Sequence, residues 1–170
     1  MNFKSHIRVI EDFPQPGISF KDITTLLSNG PVYREAIQQL KQRVSMYEID
    51  VVCGPEARGF VVGAPLAIAL GVGFVPIRKS GKLPYETIEA NYELEYGKDK
   101  LAIHKDAIKP GQKVLIADDL LATGGTIHTC IELIQQLGGQ VVGAAFLIEL
   151  TELNGRNKMQ GVEIVSLVDY

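Results

Sequence analysis

The chain has little cysteine, little excess charge and no long apolar run, and each shortage argues against a class of protein. Cys53 and Cys130 are its only cysteines, far apart and without a CxxC pair, so a disulfide framework or a zinc site is not expected. Both stand in apolar company, the setting of buried free thiols. The formal net charge is −3, with no basic face and no charged tail, so the positive field that non-specific DNA binding needs is missing. No nucleic-acid partner is expected, and any anion site must be a local concentration of Lys, Arg and backbone amides. The longest apolar runs are short and broken by glycine, and no charged-then-apolar leader opens the sequence. A soluble protein of the reducing cytoplasm, with no membrane partner, is expected. His6, His104 and His128 share no metal-ligand spacing, which leaves them surface or structural roles and predicts no protein-held metal. Internal repeats, low-complexity tracts and inter-domain linkers are also missing.

What is present suits one α/β domain. A chain of 170 residues, 46% hydrophobic and 22% charged, is large enough to bury its own core. Pro31 opens a helical period with Tyr33, Ala36, Ile37, Leu40, Val44 and Tyr47 on one face, and proline suits a first helical position. Ile49–Gly54 is short and β-branched, as a buried strand is. A helix over Arg58–Leu70 and a strand over Gly71–Ile77 follow. Lys113–Ala117, Val141–Ile148 and Val162–Val168 are further strands, and Thr126–Leu137 is a helix that Gly138-Gly139 stops. The alternation predicts a largely parallel central sheet flanked by helices, with extra structure at both ends of the order.

Residues 78–99 interrupt this regularity. They hold Gly81, Pro84 and Gly97, with basic residues early and glutamates later. Tyr85–Tyr96 has the length of a hairpin but weak alternation. Composition favours a solvated surface excursion over a mobile lid.

The most informative stretch is Val114-Leu115-Ile116-Ala117-Asp118-Asp119-Leu120-Leu121-Ala122-Thr123-Gly124-Gly125-Thr126. A buried strand is expected to end in two carboxylates, at the strand terminus where α/β sheets place ligands. The loop after it carries two threonines around two glycines and runs directly into a helix. Glycines let amides approach an anion, and a helix N-terminus adds partial positive charge. Thr123 and Thr126 can donate hydroxyl hydrogen bonds to phosphate oxygens. Asp118 and Asp119, just before, can accept from vicinal hydroxyls of a sugar. A monophosphate cradle beside a diol clamp describes a ribose 5-phosphate. No lysine follows the glycines, so this is not a Walker loop, and the acids precede the glycines, so it is not a dinucleotide fingerprint.

At this segment the chain resembles the type I phosphoribosyltransferases, in wording closest to those that use adenine. The likeness extends over nearly the whole chain. Phe13–Thr24 resembles the N-terminal base-covering segment. Gly54-Pro55-Glu56-Ala57-Arg58-Gly59-Phe60 resembles the pyrophosphate loop. Arg78–Pro84 and Leu94-Glu95-Tyr96-Gly97 resemble the flexible loop, and Leu147–Leu150 and Gly155-Arg156 also have counterparts. The resemblance implies a single domain over 1–170, with a hood from about 1–30 and a flexible loop over about 78–99. It implies transfer of phosphoribosyl from 5-phosphoribosyl 1-diphosphate to adenine, giving AMP and diphosphate. Mg²⁺ would ride mainly on the substrate.

By the same resemblance Ala122, Thr123, Gly124, Gly125 and Thr126 hold the 5-phosphate, and Asp118 and Asp119 bind the ribose hydroxyls. Arg58, Arg78, Lys79 and Lys82 surround the departing diphosphate. Ser19, Phe20 and Lys21 meet the adenine, with an arginine at the Lys21 position in some relatives. Glu95 is the general acid/base near the purine N7, with Tyr96 closing over the sugar. A homodimer is implied, with Arg78 the candidate to reach a neighbouring subunit's site. Two alternatives stay open: an enzyme for another purine base, and a purine-sensing regulator of the same fold. Regulators of that kind normally add a DNA-binding domain, and the sequence has no helix-turn-helix extension.

Overall fold

The computed structural model describes residues 1–93 and 98–170. Its first layer is a small hood in which strand β1 (Arg8–Ile10) pairs antiparallel with β2 (Phe20–Asp22), Ile10 opposite Phe20. A one-turn helix α1 (Thr24–Leu27) leads to α2 (Gly30–Arg43). The Asn29 side chain accepts a hydrogen bond from the Val32 amide at 3.3 Å, and Pro31 sits in the first turn. Both are ordinary helix-starting devices.

From there the chain runs through β3 (Val51–Pro55), α3 (Arg58–Leu70), β4 (Gly73–Lys79), β5 (Thr87–Glu93), β6 (Lys98–His104), β7 (Lys113–Leu121), α4 (Gly125–Gln136), β8 (Gln140–Glu149) and β9 (Ile164–Asp169). The main sheet is seven-stranded, ordered β5-β6-β4-β3-β7-β8-β9. Strands β4, β3, β7, β8 and β9 run parallel. The β5–β6 hairpin is added antiparallel on β4, with Arg78 opposite Ala102 and Lys79 opposite Leu101.

The pleat of β7 shows how the core divides. Leu115 and Ala117 face the side covered by α2 and α3, where they join Leu40, Val62, Leu66 and Ala145. Val114 and Ile116 face the other side, with Ile127, Cys130, Ile134 and Phe146. Side chains alternate faces along a strand, so one apolar run serves two cores. Both cysteines are buried free thiols, and burial pushes the Cys53 thiol up to about 12.

Two sequence expectations change here. The stretch after Tyr85 is not a loose surface excursion: Thr87–Glu93 and Lys98–His104 pair over their full length. Ile88, Ala90 and Tyr92 pack on the second core cluster, and Leu101 and Ile103 are buried in it. The second change concerns β7, which does not end at Asp118-Asp119. It continues to Leu121, because the ten-residue β8 supplies partners beyond the acids, Leu120 opposite Ile148 and Leu121 opposite Glu149.

Candidate active site

A crevice opens where β3 and β7 part. Their pairing stops at Cys53 opposite Ile116, while β7 continues on β8 alone. Helix α3 then leaves toward one face of the sheet and α4 toward the other, which is the topological switch point at which α/β sheets bind ligands. A cavity of about 280 Å³ lies there, lined by Glu56–Arg58 from one side and Asp118–Ile127 from the other.

Asp118 and Asp119 occupy consecutive positions of β7. The Asp119 amide donates to Asp118 Oδ1 at 2.8 Å. Asp118 is held against the turn into α3, where a Cβ on Gly59 would lie 3.0 Å from its Oδ1. Asp119 is only 3% exposed. Its Oδ2 is 3.2 Å from Arg58 Nε, at ion-pair distance but out of hydrogen-bond alignment, and among the described residues it has no hydrogen-bond partner. Burial raises both carboxyls above their usual range. For Asp118 the neighbouring Asp119 charge adds to burial, and for Asp119 the Arg58 guanidinium opposes it. A buried acceptor without a donor is costly, and a ligand hydroxyl would fill that position.

The loop after β7 is shaped by glycine. Gly124 has φ +83, a left-handed conformation, and a Cβ there would lie 2.6 Å from the Gly155 carbonyl oxygen. A Cβ at Gly125 would meet nothing within 4 Å, so the space before the helix is open. Helix α4 starts at Gly125 with no side-chain cap on Gly124. Its first-turn amides are therefore available to an anion.

Arg58 opens α3 and ties three parts of the chain together. Besides Asp119, it lies over the Phe20 ring of the hood, 5.3 Å from the centroid, and Phe20 packs edge-on against Phe13 at 5.2 Å. Lys21, on the other side of β2, points away: its ammonium donates to Ser19 Oγ at 2.7 Å and lies 4.6 Å from the centre of the Tyr170 ring. Ser19 Oγ in turn donates to Glu11.

Glu56 is the participant that the sequence reading did not single out. Arg78 Nε donates to its Oε1 at 3.2 Å, the Lys79 amide to the same oxygen at 2.8 Å, and Lys82 Nζ to Oε2 at 3.3 Å. Burial raises this carboxyl most, but the Lys79 amide, Lys82 and Arg78 together hold it below its ordinary value. The only available signal was an acid inside an otherwise anion-seeking loop. The Lys79 ammonium turns instead to Asp99, 3.3 Å away.

The structure thus brings Arg58, Asp118, Asp119 and Ala122–Thr126 to one cavity, with Phe20 joined through Arg58, and Arg78 and Lys82 joined through Glu56. Arg78 is engaged with Glu56 of its own chain. Glu95 and Tyr96 lie outside the described residues.

Residues 22–168 match the family model described as a phosphoribosyl transferase domain. An adenine phosphoribosyltransferase of Brevibacillus brevis is 69% identical over 170 residues, covering 100% of both chains. The crystal structure of adenine phosphoribosyltransferase from Thermoanaerobacter pseudethanolicus superposes with TM-score 0.96 at 53% identity, over 99% of this chain and 98% of that one. The enzyme of Saccharomyces cerevisiae, complexed with an imino-altritol bisphosphate and adenine, superposes with TM-score 0.91 at 40% identity, over 97% and 96%. With its switch-point cavity, and with this identity across its full length, the chain belongs to the phosphoribosyltransferase family, in the adenine phosphoribosyltransferase branch.

Proposed function

We propose that the chain joins adenine to the ribosyl carbon of 5-phosphoribosyl 1-diphosphate, releasing diphosphate and forming AMP. What supports the chemistry is the single cavity that combines an open glycine loop, two adjacent carboxylates and an arginine. Support for adenine as the base comes from the relatives. The amides and hydroxyls of 122–126 bind the 5-phosphate. Asp118 and Asp119 accept from the ribose 2- and 3-hydroxyls. These donors favour the ionised carboxylates over their protonated forms, and the resulting negative charge stabilises oxocarbenium character as the bond at C1 breaks.

Arg58, Arg78, Lys79 and Lys82 take the diphosphate. Glu56 now holds Arg78 and Lys82 and must yield them as the ligand enters. Mg²⁺ carried by the diphosphate would neutralise leaving-group charge, and the carboxylates it would meet in the cavity are Glu56, Asp118 and Asp119. Phe20 covers the adenine. The Lys21 ammonium, turned toward Tyr170, acts by holding β2 in place, and the base edge is left to backbone groups around Ser19 and Lys21. Glu95 moves the proton near N7, with Tyr96 beside it. A cytoplasmic homodimer completes the reading, with sedimentation as its check.

A base panel with chromatographic product analysis tests the proposal. Adenine should be converted far faster than hypoxanthine, guanine or xanthine. Equal or better use of another base would refute it.

A further inference from the structure

The glycine loop does not stand alone. It rests on a second loop, between β8 and β9, whose own position is fixed by a partly buried charge pair. Gly155 begins a short 3-10 turn, Gly155–Lys158. A Cβ on Gly155 would collide with the Ala122 carbonyl oxygen, just as one on Gly124 would approach the Gly155 carbonyl at 2.6 Å. The two backbones are therefore in direct contact, and a shift in one displaces the other.

The next residue, Arg156, anchors this contact. Its Nε donates to Glu149 Oε1 at 2.5 Å and its Nη2 to Glu149 Oε2 at 2.6 Å, a bidentate pair, while Nη1 donates to the Ile164 carbonyl at 3.1 Å. Glu149 is 4% exposed and also accepts from Ser166 Oγ at 2.9 Å. Its strand position is opposite Leu121, one residue before the loop. The Glu149, Arg156 and Ser166 side chains do not line the cavity themselves; Glu149 reaches its lining through the ladder to Leu121, and Arg156 through Gly155.

We propose that Glu149 and Arg156 are positioning residues for the 5-phosphate cradle: the bidentate pair fixes Gly155, and Gly155 fixes the Ala122–Gly125 backbone whose amides receive the phosphate. The inference rests on reading 122–126 as that cradle. Bidentate geometry matters here, because lysine can replace the charge of Arg156 but not its planar fork.

The test is calorimetric binding of two probes, ribose 5-phosphate and inorganic diphosphate, with steady-state kinetics, for wild type, Arg156→Lys, Arg156→Ala and Ser166→Ala. Ribose 5-phosphate should bind about tenfold or more weakly to Arg156→Ala, and to an intermediate degree to Arg156→Lys, with diphosphate affinity changed less than about twofold. KM for phosphoribosyl diphosphate should rise in the same order while KM for adenine holds. Equal weakening of both probes, or of neither, overturns the proposal. If Arg156→Ala does not fold, Arg156→Lys and Ser166→Ala must show the selective loss, and its absence from both overturns it. A Thr126→Glu variant, which sets a carboxylate beside the cradle amides, separates the two layers. Should it bind ribose 5-phosphate normally, the cradle reading itself fails. Should it lose that ligand while the Arg156 variants keep it, only the positioning role fails.

Discussion

Asp119 shows what a site residue costs the fold that carries it. Burial raises its carboxyl despite Arg58 nearby, so the folded chain holds the proton more tightly than the unfolded one. The penalty for ionisation is therefore present at neutral pH and disappears as pH falls below the unfolded carboxylate range. Asp119→Asn should raise the melting temperature of the ligand-free protein at pH 7, and the gain should shrink toward acid pH. The same substitution should lower turnover, since a neutral amide cannot stabilise charge at C1. Scanning calorimetry across pH, beside the activity assay, checks both. A variant less stable than wild type at pH 7 would show that the Arg58 contact outweighs the burial cost. Glu56 follows the opposite sign, its carboxyl being lowered by Lys79, Lys82 and Arg78 against burial. It stabilises the folded chain above the ordinary carboxylate range and loses that contribution as pH falls through its folded value.

Among the elements, α3 carries a defect and its repair. Pro65 lies inside the helix and has no amide to offer the Val61 carbonyl one turn earlier. The Tyr33 hydroxyl, reaching from α2, donates to that carbonyl instead. A hydrogen bond left unmade costs about 1–3 kcal/mol, and the half-buried Val61 favours the lower end. Tyr33→Phe should therefore lower the melting temperature by about 2–4 °C for a domain of this size. Adding Pro65→Ala restores an amide donor at position 65, so the double variant should be less damaged than Tyr33→Phe alone. Additive losses would refute this account.

A pairing of this kind is illegible in a linear pattern. The helices over 30–43 and 58–70 were legible because their apolar spacing is local, and so were the parallel strands, as short β-branched runs. The β5–β6 hairpin is only partly legible: a hairpin within Tyr85–Tyr96 fits by length, but the small apolar set Ile88, Ala90 and Tyr92 among Thr87, Glu89, Asn91 and Glu93 favours a polar excursion, and the partner strand lies beyond Tyr96. The extent of β7 is set by the length of β8, which its own residues do not show. The cavity lining from Asp118 to Thr126 is legible for the opposite reason, since its acids, hydroxyls and glycines are contiguous. Glu56 with Arg78 and Lys82, and Gly124 with Gly155, are contacts between distant segments and left no local trace.

At the scale of the molecule, the candidate site is assembled from four separated stretches, the hood, 56–58, 78–82 and 118–127, and the hood must be held at a fixed height over the other three. One tie is Arg58 over the Phe20 ring. A second is on the far side of β2, where the Tyr170 ring takes Lys21 at 4.6 Å and Lys4 at 4.7 Å, beside the burial of Phe3, Ile7 and Ile23 in the core. Tyr170 is itself fixed to the core, its amide donating to the Glu149 carbonyl and its carbonyl accepting from the Thr151 amide. Cation–π contacts contribute about 0.5–1 kcal/mol each where exposed and about 2 where desolvated, and both use the ring rather than the hydroxyl. Tyr170→Phe should therefore behave as wild type. Tyr170→Ala should loosen β2, raising KM for adenine, proposed to lie under Phe20, more than KM for phosphoribosyl diphosphate, proposed to bind at the main sheet. Lys21→Met should follow Tyr170→Ala in direction, because it removes one of the two cations that the ring holds. Steady-state kinetics with each substrate varied in turn decides the matter. If Tyr170→Phe proves as damaging as Tyr170→Ala, the hydroxyl is what matters and the cation–π tie is wrong. If Lys21→Met impairs adenine use while Tyr170→Ala does not, Lys21 serves the base directly.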